Sequence, residues 1–525
     1  MVSRIPKHWL AIQGALIGAF MAILDIQITN SSLKEIQGAL GATLSESSWI
    51  ATSYLVAEMI AIPLTGFFAR WLSPRRYLLW NVAGFVLASL ACSFSWNLES
   101  MIVFRALQGF TGGALIPMAF TLIMTLLPKE KQPVGMALFG VTATFAPSIG
   151  PTLGGWLTDT FSWHYLFYLN ILPGILVMLL LAMGLEKKER DDSQIQSIDL
   201  FGMLTMALGL GALEVVLEEG SRDDWFDAEY IRWLAALSVV SLIFFVRRQL
   251  TAKAPLVNLR LFKNSDFAKA CAAYFALGAG LFGSVYMVPL YLAQVHDYNA
   301  LQIGLVLMWV GFPQLPLFPL IPKLVNKVDP RYLVFAGFVG IAISMWMNIN
   351  MSVLYDGAFL IPALLVRAMA QPFMMVPLSI IATQNLNKED APSASTLLNV
   401  MRNLGGAVGI AMLATLLDVR TRHYIWQIKE TVVAGSQNLT QWLQHTGQLL
   451  IAQGGNSSQA YGVLFQQMHK QAAVMAYNDG FLLMGGLLFI AALAVLAIRP
   501  AHKAQAAAAA SAEPANSPTV AKEAA

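Results

Sequence analysis

Apolar residues in this chain neither alternate nor mark out one face of a helix. They arrive in unbroken runs of about 20 residues, separated by short polar segments. Backbone amides in hydrocarbon find no water to bond, so each run must satisfy itself as a helix. The pattern predicts fourteen membrane spans, over 8–30, 48–71, 77–96, 99–126, 134–156, 164–185, 198–217, 229–246, 267–292, 301–324, 331–350, 357–384, 392–418 and 477–498. The seventh carries Glu214 and the eighth is short, which makes them the least marked. Dropping both would leave twelve helices and a soluble insert near 190–266. Trp9, Trp96, Trp163 and Trp225 fall near the expected boundaries, where interfacial belts sit.

Composition agrees. Of 525 residues, 57% are hydrophobic and 12% charged, with mean hydropathy +0.60; soluble domains carry about 25% charge. A chain this poor in charge cannot clothe a water-facing surface, so it is expected to be an all-α polytopic membrane protein. Cys92 and Cys271 lie in separate apolar runs and write no disulfide framework or metal knuckle. A net charge of +3 gives no sign of a nucleic-acid partner. The first run is too long for a cleavable signal, contains Asp25 and lacks a cleavage site, so it is expected to remain as an anchor.

Charge in the loops sets an expected orientation. With the amino terminus inside, cytoplasmic segments hold 23 Lys and Arg and the other side holds 7; Arg105, Arg367 and Arg402 lie within helices. Clusters such as Arg70, Arg75 and Arg76, or Lys187, Lys188 and Arg190, fall on the cytoplasmic side, as the positive-inside rule expects. The same orientation puts the polar stretch 419–476 outside and the low-complexity tail 499–525 inside, the latter expected to be disordered.

An internal repeat organises the spans. A shift of 259 residues lays Lys129-Glu130-Lys131-Gln132-Pro133 on Lys388-Glu389-Asp390-Ala391-Pro392, and Gly150 on Gly409. Arg105-Ala106 matches Arg367-Ala368 after a three-residue gap. Spans four and five thus pair with twelve and thirteen. The expected organisation is an amino-terminal six-helix bundle (8–185), an inserted pair (198–246) and a carboxy-terminal six-helix bundle (267–498) that includes the 419–476 segment.

Few charges stand inside these runs. Asp25 lies five residues from the end of span one; a carboxylate at mid-helix costs about 2.5–3.5 kcal/mol on insertion scales. Glu58 lies about 15 Å along span two, near mid-bilayer, where a transporter's proton site needs an acid. Arg105 sits at a depth similar to Asp25 and needs an anion or a hydrated cavity. An Arg–carboxylate couple loosened by protonation is one reading, a permanent structural pair the other. Glu214 and Asp418 lie near span ends and are expected at the interface, outside the mechanism. In span five, Pro147 and Pro151 break one face of the hydrogen-bond ladder while Gly150, Gly154 and Gly155 permit close helix approach. No GxxxxGK[ST] loop and no HExxH is written anywhere.

Together these residues resemble the major facilitator superfamily, in its fourteen-helix drug:proton antiporter branch (EmrB/QacA-like). Leu24, Asp25, Thr29 and Asn30 are similar to that branch's first-helix motif, and Gly66, Arg70, Arg75 and Arg76 to its loop between helices two and three. Arg105, Gln108 and Gly109 resemble the fourth-helix arginine motif. Gly150, Pro151, Gly154 and Gly155 resemble the antiporter motif, and Arg402, Asn403, Gly405, Gly406 and Gly409 the thirteenth helix. The loop motif departs from the family in lacking its usual acidic residue and second glycine, with Arg70 and Ser73 nearby. Span ten carries no acid, unlike QacA-like dication pumps.

The resemblance implies proton-driven efflux of lipophilic weak acids, uncouplers and neutral amphiphiles across a bacterial inner membrane, with both termini cytoplasmic. Asp25, Glu58 and Arg105 would couple protons, and Gln108, Arg367 and Arg402 would line or gate the substrate cavity. No cofactor or metal is expected beyond the proton gradient. Implied partners are membrane lipid, a periplasmic adaptor (EmrA-like) and an outer-membrane channel (TolC-like). A facilitator or metabolite exporter, and a non-transporting scaffold, are the alternatives.

Overall fold

The structure, a computed structural model, describes residues 6–187, 199–252, 255–383, 386, 390–431, 437–452 and 456–498. The tail 499–525 and the loop residues Lys188 and Arg190 lie outside these. Among the described residues, thirteen helices are long and apolar enough to cross a membrane, and a shorter apolar helix, Pro330–Trp346, takes the place of the eleventh expected span.

In chain order they are α1 (Lys7–Ser31), α2 (Leu44–Leu72), α3 (Pro74–Ser93), α4 (Leu98–Leu126), α5 (Gln132–Thr160), α6 (His164–Gly184) and α7 (Leu200–Glu219). There follow α8 (Glu229–Thr251), α9 (Ser265–His296), α10 (Ala300–Val325), α11 (Pro330–Trp346), α12 (Gly357–Thr383), α13 (Ala391–Thr431) and α14 (Gln459–Val495).

Local chemistry explains where they begin and break. Thr43 and Glu46, Asn97 and Ser100, and Asn299 and Gln302 form reciprocal caps at the starts of α2, α4 and α10. Ser73, between α2 and α3, holds φ at 71°, a backbone that glycine takes without steric cost; this is where the loop motif lacks its second glycine. α10 is α-helical to Gly311, passes through 3-10 turns at Phe312–Gln314 and Phe318–Leu320, and resumes as α-helix over Ile321–Val325. Prolines 313, 316, 319 and 322 remove the amide donors a continuous helix would need.

Two boundaries move. α13 does not stop at 418 but runs 41 residues to Thr431, and α14 begins at Gln459 rather than 477. With a helix over Gln437–Ala452 between them, the polar 419–476 stretch is largely helical. Polarity ended the hydropathy run, but it does not end a helix.

The packing repeats along the chain. α1 lies against α5 and α6, α2 against α4, and α3 against α4 and α6. Eight spans later α9 lies against α13 and α14, α10 against α12, and α11 against α12 and α14. The sets meet where α13 crosses α2 and α4 and where α5 crosses α10 and α12, while α7 and α8 pair and α7 leans on α2 and α13.

Glycines make the closest crossings possible. A Cβ on Gly154 would stand 2.9 Å from Ile28 O of α1, and one on Gly155 would stand 2.8 Å from Leu301 N of α10. Gly150 faces Gln27 Cβ more closely still. The Pro/Gly run thus wedges α5 between α1 and α10. In α9 and α13, Gly278 abuts Arg402 O and Gly405 abuts Phe275 O.

Candidate functional site: a sealed ion pair beside an open cavity

Asp25, Arg105 and Gln108 come together as one fully buried cluster. Arg105 Nη1 donates to Asp25 Oδ2 at 2.6 Å and to Gln108 Oε1 at 2.6 Å, and its Nε donates to Ile50 O at 3.3 Å. Gln108 Nε2 donates to Asp25 Oδ1 at 2.9 Å and to Ser89 Oγ at 2.6 Å. Asn170 Nδ2 adds donors to Asp25 Oδ1 at 2.6 Å and Ser89 Oγ at 3.0 Å. The Tyr54 ring covers the guanidinium, 4.4 Å away. Helices α1, α2, α3, α4 and α6 all contribute. Ser89, Asn170 and Tyr54 carry no charge, and nothing in the sequence sets them apart from their apolar runs.

Gln108 was expected on the substrate cavity. It is instead turned away, because its place three residues beyond Arg105 puts both side chains on the same face of α4.

The cavity itself, about 450 Å3, lies between the two sets of helices. It runs from mid-span toward the face opposite the amino terminus, where Asn30 and Ala293 are exposed. At the amino-terminal face the sets meet. Ser395 Oγ of α13 donates to Pro117 O of α4 at 2.9 Å. The Phe318 ring of α10 lies against Gly140 of α5.

Most of the lining is apolar, including Ile23, Met59, Phe282 and Ile303, with Pro147 and Pro151 from the antiporter run. Its charged groups are Glu58, Glu214, Glu218 and Arg402. Glu58 Oε1 accepts from Asn403 Nδ2 at 3.4 Å. Glu214 corrects the expectation that it is interfacial: it is 4% exposed and lines the cavity. Its place near the end of an apolar run pointed to the interface; the lean of α7 on α2 and α13 turns it inward. Glu218, one turn on, fell outside the expected span. Asp418 does lie at the edge, paired with Arg422 at 2.6 Å.

Arg367 and Arg402 share a narrower extension of about 50 Å3 at mid-span. Arg367 Nη2 reaches Leu281 O at 3.5 Å, while its Nε and Nη1, and Arg402 Nε, have no partner among the described residues.

The loop-motif residues sit apart from both. Arg75 Nη2 donates to Ala182 O at 2.9 Å, and Arg70 and Arg76 are exposed. Among the described residues none of the three is ion-paired. Gly66 lies where α2 meets α13, with Pro392 Cβ and Thr396 Oγ1 3.9 Å from where a Cβ would stand.

Two similarly packed sets of six helices with a further pair beside them, among the described residues, enclose a mid-membrane cavity open to one face and define a polytopic helical carrier. The chain belongs to the Major Facilitator Superfamily, whose family model matches residues 15–410. It is 36% identical to the colistin resistance protein EmrB of Acinetobacter baumannii, over 92% of this chain and 95% of that one. It is 31% identical to the multidrug export protein EmrB of Escherichia coli, over 90% and 92% of the two chains. The proton:xylose symporter XylE is 12% identical but superposes with a TM-score of 0.58 over 94% of this chain and 96% of that one, which shows a shared fold.

Proposed function

We propose that this protein is a proton-coupled exporter of hydrophobic and amphiphilic compounds in a bacterial inner membrane. The observation that carries the reading is the mid-membrane cavity with a buried acid on its wall. Apolar lining suits a hydrophobic guest, and Glu58 offers a group that can exchange a proton with the cavity's water. The multidrug export for which the Escherichia coli relative is named supports the direction. No cofactor enters; the proton gradient is the energy source.

In this reading Glu58 carries the exchanged proton and Asp25, sealed against Arg105, does not. The bundles 8–185 and 267–498 rock about the cavity, and 198–246 rides between them. The Pro147–Gly155 run is the bearing on which α5 moves. Both termini are cytoplasmic, so the cavity opens to the periplasm.

The test is transport in proteoliposomes carrying a pH gradient, with a neutral hydrophobic fluorophore as cargo. An exporter moves the fluorophore only while the gradient lasts. A facilitator ignores the gradient, and a scaffold moves nothing; either result overturns the reading.

The helical 419–476 segment is proposed to dock a periplasmic adaptor, which in turn reaches an outer-membrane channel. It projects beyond the last turns of α9 and is braced there by Lys470 Nζ to Asp297 Oδ2 at 2.7 Å. Replacing 425–470 with a Gly/Ser linker should abolish adaptor co-purification while proteoliposome transport persists. Co-purification at parental yield would end this part of the proposal.

A further inference from the structure

The cavity separates its charges by depth. Arg402 lies eleven residues from the start of α13, whereas Glu218 lies eighteen from the start of α7. Both helices start on the same face, so at 1.5 Å per residue the two groups differ in depth by about 10 Å. Arg402 shares the narrow extension with Arg367, the two being 6% and 3% exposed, and neither Glu214 nor Glu218 of α7 lines that extension. The mouth holds Glu214 and Glu218.

Neither end is satisfied by the protein. Guanidinium keeps its charge in any protein setting, and no carboxylate lies within ion-pair distance of either arginine among the described residues. Their Nε atoms and Arg367 Nη1 lack partners, and Gln371 Oε1 beside them is also unpaired. At the mouth, Glu214 Oε2 is buried without a partner. Buried polar groups left this way cost free energy unless a guest completes them. In the Asp25 cluster of the same protein, by contrast, every charged group is matched.

We propose that this cavity is a receptor for amphiphilic zwitterions. An anionic group, carboxylate in type, docks between Arg367 and Arg402. A protonated amine meets Glu214 and Glu218, which lie about 5 and 10 Å further along the axis than Arg402. The apolar body between them lies over Phe282, Tyr286 and Ile303. The inserted helix α7 thereby contributes half of the recognition. The proposal rests on the reading that this cavity is the transport site and adds the charge pattern of its guest.

The test uses the full-length protein in detergent and equilibrium dialysis with three probes on one scaffold. These are norfloxacin, which is zwitterionic near neutral pH, its ethyl ester, which keeps only the amine charge, and its N-acetyl derivative, which keeps only the carboxylate. The parent should bind norfloxacin about tenfold more tightly than either derivative. Arg367→Gln should level norfloxacin with its ester, and Glu214→Gln should level it with the N-acetyl form. Equal binding of the three probes by the parent overturns the proposal without recourse to any variant. Variants that weaken all three probes in the same proportion overturn it as well. The gradient-driven flux described above is measured after reconstituting the same purified protein into liposomes, so a protein that passes that test but binds the probes equally loses only the zwitterion site.

Discussion

Two groups of ionisable side chains lie buried among the spans of this protein and are treated oppositely. Around Asp25, five helices converge to give each charge a counter-charge and each oxygen a donor. Across the cavity, Glu58, Glu214, Arg367 and Arg402 are as deeply buried and nearly bare of partners. A matched cluster behaves as part of the fold, since removing one member strands the rest. An unmatched set costs free energy in the empty protein and has a use only when protons or a guest arrive. Charge within a span is therefore no index of function; the state of its partners is.

The largest expected effect follows from breaking the matched side. Arg105→Met would leave Asp25 buried beside neutral donors, and loss of one partner of a buried pair costs about 3–5 kcal/mol. The variant should lose thermal stability in detergent sharply, whereas Arg402→Met, which breaks no ion pair, should lose little. Comparable losses would erase the distinction.

Next comes the α5 crossing. In Gly154→Leu the new side chain begins 2.9 Å from Ile28 O, and overpacking of this kind costs about 1–3 kcal/mol. Membrane levels should be retained while transport stops. Normal transport would show that α5 does not depend on this approach.

A smaller effect is expected at the outer rim. Trp225 Nε1 donates to Thr415 Oγ1 at 2.9 Å, and Arg422 pairs with Asp224 at 3.2 Å, so the loop after α7 is tied to α13. Trp225→Phe should lower stability by about 0.5–1.5 kcal/mol, the worth of one hydrogen bond. It should leave probe binding at Arg367 untouched, which a calorimetric scan and the dialysis series would together check.

The spans were legible because hydrocarbon leaves a chain little choice: a run of apolar residues must be a helix. Asp25 and Arg105 were legible as a couple because their depths along spans one and four agree. The neutral half of their cluster was not, since Ser89, Asn170 and Tyr54 look like ordinary residues of apolar runs. Glu214 was misplaced, and Glu218 passed over, because distance from the end of a run measures depth and says nothing of which way a helix turns. The helix of α13 beyond 418 escaped because hydropathy reports the solvent around a segment rather than its backbone. In α10 the prolines stood in plain view, yet the run's apolarity hid the break they cause.

The central claim is that the proton travels on the unmatched acid and not on the matched one. Substrate-induced proton release from detergent-solubilised protein tests it directly, comparing the parent with Asp25→Asn and Glu58→Gln, each normalised to folded protein. Release should vanish in Glu58→Gln and persist in the Asp25→Asn protein that remains folded. Release that survives Glu58→Gln and disappears with Asp25→Asn would contradict the account.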